Sequence, residues 1–192
     1  MDPSLLLQKV KARLPEKRFT HVLGVMNTAV ALAKHYGVPE EQARIAAILH
    51  DVAKYADRDW MRGIIEKENM DPLLLDYHHE LWHAPVGAYL ASYEFGVEDE
   101  EILDAIRYHT TGRAGMSDLE KIIYTADMIE PGRKFPGVDR LRAMKNDGLD
   151  RLMEASIRQS VEFLVSKNQP VYPDSLKCLE HFEQQKGNVK ND

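Results

Sequence analysis

The chain has 192 residues, enough for one domain with a substantial core, and its 44% hydrophobic and 29% charged content is ordinary for a soluble globular protein. A formal net charge of −6 argues against a general electrostatic hold on duplex nucleic acid, and no apolar run approaches the roughly 20 residues that cross a bilayer, so neither is an expected partner. The single cysteine, Cys178, excludes an internal disulfide and a thiolate-only metal site; residues 1–13 lack a signal-peptide pattern, and a reducing cytoplasm is the natural compartment.

The pattern reads as all-α throughout. Residues 16–36 place Phe19, Val22, Leu23, Met26, Ala29, Val30 and Ala33 at helical spacing. Pro39 and the acids after it open a helix expected over 39–55, with Ala43, Ala46, Ala47 and Ala53 on its apolar face. A shorter helix over 57–68 has Asp57 as its cap, and 69–82 is less regular. Pro85 suits the first turn of a helix running to Glu94, with Gly96 as its stop. Helices follow over 98–109 and 117–129, the second opened by the capping box of Ser117 and Glu120. Gly112, Gly115, Pro131, Gly132, Pro136 and Gly137 mark loops. The longest helix is expected at about 148–167, and Pro170 and Pro173 precede a last one ending near Gly187. No repeat or composition break divides the chain, so a single domain is expected over 1–187, with a frayed tail over 188–192.

Within these helices the histidines carry the information. His50 and Asp51 form a polar pair between Ile48-Leu49 and Val52-Ala53, where burial costs several kcal/mol unless each group finds a partner. A divalent cation satisfies both, since imidazole nitrogen and carboxylate oxygen are sound ligands for iron, manganese or zinc. His21 and Asp127 likewise interrupt apolar helical faces, His109 ends the 98–109 helix, and His83 stands at the start of the helix containing Pro85. Each has a structural explanation by itself: a satisfied core histidine, a helix-end dipole partner, a buried ion pair. All of those holding together is the less economical reading.

The order His21, His50-Asp51, His83, His109, Asp127, each on its own helix, resembles the HD-domain superfamily. The first His, the doublet and the late Asp correspond to its single-metal signature. His83 and His109 fill the places of its two-metal subclass, in which Asp51 would bridge the ions. The runs Arg18-Phe19-Thr20-His21, His50-Asp51-Val52-Ala53-Lys54, Trp82-His83-Ala84-Pro85, His109-Thr110-Thr111-Gly112 and Ala126-Asp127-Met128-Ile129-Glu130-Pro131-Gly132-Arg133 are similar to the YqeK family, over roughly residues 10–175. That resemblance implies a helical HD-domain bundle with a buried dinuclear site. It implies symmetrical hydrolysis of diadenosine tetraphosphate into two ADP, and two iron ions as the metals; ligand type alone also admits manganese or another transition metal.

His79-Glu80-Leu81-Trp82-His83 fits the zinc-protease pattern H-E-x-x-H, which needs one continuous helix. Pro85 lacks the amide that would bond to Leu81, so His83 belongs at a helix start and the protease reading is set aside. His79 and Glu80 either line the pocket or lie on the surface. Asp51 and Lys54 are the expected catalytic pair, with Lys54 read as sharing the doublet's helical face to hold phosphate. Arg18, one turn before His21, and Arg133, in the loop after Asp127, suit nonbridging phosphate oxygens, and Thr110 offers donors beside His109. Gly24, in a helix interior where glycine costs about 1 kcal/mol relative to alanine, leaves room for substrate or for another helix. Tyr172 is a candidate base-stacking ring in the region that, by resemblance, reaches the nucleoside. His83 and Asp127 complete the expected substrate contacts. Hydroxide from a metal-held water is the expected nucleophile, and no side-chain nucleophile is needed. The alternatives are an HD-domain hydrolase of another nucleotide or phosphate ester, and a non-catalytic nucleotide-binding protein. A homodimer suits an enzyme of this size, though no sequence feature requires it.

Overall fold

The computed structural model of the chain describes residues 2–189, with side chains described through residue 185. Ten α-helices, three short 3-10 helices and no strand occur among the described residues. No described helix is long and apolar enough to cross a membrane. Helix α1 (Pro3–Lys11) has no counterpart in the sequence reading; Asp2 caps it by accepting from the Ser4 amide. Helix α2 (Glu16–Tyr36) has 21 residues and is longer than α9 (Leu149–Ser166), which has 18 and was the expected longest. It stops where Gly37 turns left-handed at φ 73° and the Gly37 and Val38 amides both reach the Ala33 carbonyl.

Helix α3 (Glu40–Leu49) ends well before the expected residue 55. The chain there tightens into three-residue turns: Val52 N bonds to Leu49 O, Lys54 N to Asp51 O and Ala56 N to Ala53 O. The His-Asp doublet therefore lies just past a helix end.

Helix α4 (Arg58–Lys67) is capped by Asp57 as expected. The irregular stretch after it contains two 3-10 turns, Pro72–Asp76 and His79–Leu81. Then follow α5 (His83–Tyr93), α6 (Glu100–Arg107) and α7 (Asp118–Ile129), the last with both bonds of its capping box in place. The loop region after Pro131 holds a short helix, α8 (Val138–Ala143), that the glycines and prolines concealed. Helix α10 (Pro173–Val189) continues past Gly187, and residues 190–192 of the expected frayed tail lie outside the described residues.

The bundle is built around α2, α3, α6 and α7, which pack on one another. Ala43, Ala46 and Ala47 are wholly buried, and their small side chains let α3 lie close to its neighbours. Ile48, Leu49, Ile106, Ile122 and Ile123 fill the centre. Helices α9 and α10 cover the other side of α7 through a separate apolar cluster that includes Tyr124, Met153, Ile157, Cys178 and Phe182. With α7 buried on both sides, the position of Asp127 in its last turn is held firmly.

Candidate metal centre

Six side chains from five elements meet in the middle of the bundle. His21 comes from α2, His50 and Asp51 from the turn after α3, His83 from the first residue of α5, His109 from just past α6, and Asp127 from α7. His50, Asp51, His83 and His109 are buried, each 3% exposed or less.

The histidines share one arrangement. Each Nδ1 is tied to an oxygen: His50 to Ala47 O at 2.6 Å, His83 to Glu80 O at 2.6 Å, His109 to Ile106 O at 2.7 Å, and His21 to Glu130 Oε1 at 3.0 Å. A carbonyl only accepts, so Nδ1 of His50, His83 and His109 carries a proton, and in the neutral form of each ring the Nε2 lone pair faces inward. Three of these ties run to the residue three positions back, a bond that a helix end provides.

The inward nitrogens crowd two carboxylates. Asp51 Oδ2 stands 3.3 Å from His50 Nε2 and 3.7 Å from His21 Nε2, while Oδ1 stands 3.1 Å from His83 Nε2 and 3.7 Å from His109 Nε2. His83 Nε2 and His109 Nε2 are 3.1 Å apart. Asp127 Oδ1 lies 2.9 Å from His21 Nε2, yet this approach lacks hydrogen-bond geometry, and Nε2 of both His21 and His50 is buried without a hydrogen-bond partner. Lone pairs brought this close in a buried site call for cations among them. His21, His50 and Asp127 present ligand atoms within 4.8 Å of one another, and so do His50, Asp51 and His109. The donors are nitrogen and oxygen only, a set that suits a divalent transition metal.

The titration behaviour agrees. Burial opposes charge on both Asp51 and Asp127. The His50 charge and the surrounding histidine contacts nevertheless hold Asp51 well below the usual carboxylate range, and His21 with Arg133 does the same for Asp127. Burial works against a charged His50 as well, but Asp51, Asp127 and the Ala47 carbonyl together raise the ring's pKa. His83 goes the other way: burial dominates and lowers it. The carboxylates draw positive charge into the centre, which a metal ion satisfies without a proton.

Around these six side chains lie the residues expected to hold phosphate. Arg18 Nη1 donates to Asp51 Oδ2 at 3.1 Å. Arg133 Nε donates to the Asp127 carbonyl at 2.7 Å and Nη2 to its Oδ1 at 2.5 Å. Lys54 bonds to Glu80 from the tightened turn, which replaces the shared helical face of the sequence reading. His79 and Glu80 sit in a 3-10 turn and His83 begins a separate helix, so the H-E-x-x-H residues do not share one continuous helix. A cavity of about 500 Å³ opens beside them, with Tyr77, Glu80, Thr110, Ser160, Pro170 and Tyr172 in its wall. Thr110 Oγ1 is buried there without a hydrogen-bond partner. Tyr172 is 5% exposed, donates its hydroxyl to Asp71 and meets Tyr77 edge-on, so its ring forms a wall of the cavity and is not a free stacking surface.

Gly24 is explained by protein. A Cβ there would overlap the Glu130 carboxylate and stand 3.1 Å from its Cδ. Glu130 is buried, and besides its contact with His21 it accepts from the Gly132 amide at 2.7 Å. A carboxylate behind a ligating imidazole orients the ring and raises its basicity. Sequence reasoning assigned Glu130 no role, although it lies in the same run as Asp127; the glycine opposite it was the available signal. Arg142 was also missed. It donates to the carbonyls of Ile129, Glu130 and Arg133, and so fixes the loop that carries Glu130 and Arg133.

Comparison with known proteins adds to this geometry. The family model described as "HD domain" matches residues 18–132. A symmetrical bis(5'-nucleosyl)-tetraphosphatase of Bacillus subtilis is 54% identical over 176 residues, covering 92% of this chain and 95% of the relative. A protein of the same name from Staphylococcus aureus is 41% identical over 184 residues, covering 95% of each. The solved structure of a predicted HD superfamily hydrolase involved in NAD metabolism, from Clostridium acetobutylicum, superposes with a TM-score of 0.91 at 36% identity, over 96% of this chain and 98% of that one.

Proposed function

The chain belongs to the HD domain family, and on that premise we propose that it hydrolyses diadenosine tetraphosphate symmetrically, to two ADP, at a centre of two divalent metal ions. The substrate reading is supported by curated relatives of that name whose match covers nearly the whole length of both chains. The observation that carries the two-metal reading is the Asp51 carboxylate, which meets His21 and His50 with one oxygen and His83 and His109 with the other. The family resemblance favours iron; the ligand set also accepts manganese.

When bound, such ions lower the pKa of coordinated water and offset charge on phosphoryl oxygens. The chain's own groups do the rest. Arg18 and Arg133, each already paired with a carboxylate of the centre, offer guanidinium donors to the nonbridging oxygens. Lys54, held by Glu80, adds a positive charge beside the cavity. The unpartnered Thr110 hydroxyl is available to a phosphate or ribose oxygen. The buried histidines and the walls around them limit bulk water, so these charges act in a medium where they count for more than in solvent.

Product identification is the test. The metal-loaded protein is expected to release ADP alone from diadenosine tetraphosphate, which places attack at an inner phosphorus. Release of AMP with ATP would overturn symmetrical cleavage. No nucleotide product would leave hydrolysis of another phosphate ester, a reading to which the clostridial neighbour's link to NAD metabolism gives some weight.

A further inference from the structure

Residues 68–82, between α4 and α5, lack helical periodicity but not order. Asp71 closes the 3-10 turn Pro72–Asp76, its Oδ1 accepting from the Leu73 amide at 3.0 Å. Trp82 Nε1 donates to the Leu74 carbonyl at 2.7 Å, which ties this turn to the residue just before His83. Two side chains of the same stretch reach the loop between α9 and α10. Asp71 Oδ2 accepts the hydroxyl of Tyr172, 101 positions away, and Tyr77 meets the Tyr172 ring edge-on with centroids 5.1 Å apart. From the other side Ser175 pins the loop: its amide donates to the Tyr172 carbonyl at 3.0 Å and its Oγ to the Thr111 carbonyl at 2.8 Å.

Tyr172 stands between two cavities. The first, of about 500 Å³, is the one beside Glu80 and Thr110, within the size range of small-molecule sites and next to the Lys54–Glu80 pair. The second, of about 440 Å³, has Met70, Pro85, Tyr89 and Tyr108 in its wall. Leu81, Thr110 and Tyr172 belong to both walls, whereas Asp71 belongs to the second alone. The second lining carries Glu68, Asp71, Glu100 and Asp174 against the single cation Arg107, so it repels phosphate and is no alternative seat for the substrate. The Tyr172 ring is thus a partition, anchored by its hydroxyl on the side away from the first cavity. A ring pinned at its tip keeps one conformation; released, with empty space beside it, it has others open to it.

We propose that Asp71 is a positioning residue that sets the width of the first cavity, and with it the size of base accepted there, by holding Tyr172 in place. This rests on the proposed cleavage of diadenosine tetraphosphate, one nucleoside of which occupies that cavity. Asp71 acts through Tyr172 and not on the substrate, since it lies outside the first cavity's wall. Its carboxylate is at the surface while the Tyr172 ring is buried, so water replaces part of the lost hydrogen bond when Asp71 is removed and the effect is moderate. With the partition loosened, adenine fits less closely and a larger base is admitted.

The test compares diadenosine tetraphosphate with its ethenoadenosine counterpart, whose bases carry an additional fused ring, on metal-loaded wild type, Tyr172→Phe, Asp71→Ala and the double variant. The ratio of kcat/KM values, adenosine over ethenoadenosine substrate, is expected to fall about three- to tenfold in each single variant. The double variant is expected to fall no further, because both changes remove the same hydrogen bond. General loosening of the fold would lower both kcat/KM values together and leave the ratio where it was. Tyr172→Phe keeps the ring and leaves the Asp71 cap of the 3-10 turn intact, so it decides the matter even if Asp71→Ala does not fold. An unchanged ratio in Tyr172→Phe would overturn the inference, as would a double variant whose fall is the product of the two single ones. A wild-type protein that releases no ADP from diadenosine tetraphosphate would remove the function on which the inference stands; a wild type that does, beside an unaffected Tyr172→Phe, would remove the inference alone.

Discussion

The two oxygens of Asp51 look into unlike surroundings. On the Oδ2 side stand His21 and His50 with a second carboxylate, Asp127, and behind His21 a third, Glu130. On the Oδ1 side stand His83 and His109, whose outer nitrogens rest on main-chain carbonyls alone. One half of the centre offers a second carboxylate, Asp127, and an imidazole backed by Glu130, with Arg18 and Arg133 paired to its carboxylates; the other offers two imidazoles and the shared Asp51 oxygen. On the proposed two-metal reading, the Oδ2 side is expected to hold a divalent cation more tightly than the Oδ1 side.

Removing what the two halves share has the largest effect. Asp51→Asn is expected to lower turnover by at least about a thousandfold and to lose metal from both sides. Metal analysis beside an ADP-release assay checks this; full hydrolysis by a metal-free Asp51→Asn protein would rule out the account. The halves separate with Glu130→Gln, expected to weaken metal binding on the Oδ2 side by about ten- to a hundredfold while the other side changes little. Gly24→Ala, which would push the Glu130 carboxylate from its place, is expected to reproduce that loss. Titrating each apoprotein with metal reads both, and equal weakening of both sites would erase the distinction. Arg133→Ala sits outside the ligand set and is expected to raise KM about tenfold, the scale of one charge-assisted hydrogen bond, with metal content kept. An unchanged KM would remove Arg133 from the substrate. Cys178 belongs to neither half. Burial pushes its thiol up to about 12, so at pH 8 iodoacetamide is expected to leave it unalkylated and activity unchanged.

The convergence of His21, His50, Asp51 and Asp127 was legible in the sequence because each is a polar group in an apolar run, where burial demands a partner, whereas His83 and His109 stood out at helix ends. Residues 39–55 mark the limit of that reading: Val52 and Ala53 continue the apolar pattern, and only the hydrogen bonds reveal that the helix has ended at Leu49. Helices α1 and α8 escaped because they are short and flanked by proline or glycine. Glu130 escaped for a different reason. Its role depends on meeting His21 and Gly24 across more than a hundred positions, and no local pattern encodes that meeting. Gly24 stood out by its helical cost, but the neighbour that fills its space became visible only in three dimensions.

Anomalous diffraction from crystals of the anaerobically purified, metal-loaded protein tests the centre most directly. The account predicts two peaks, one on each side of Asp51 and roughly 3.5–4 Å apart as in two-metal hydrolases, with the peak beside His21 the fuller. A single peak, or metal bound away from Asp51, would contradict it.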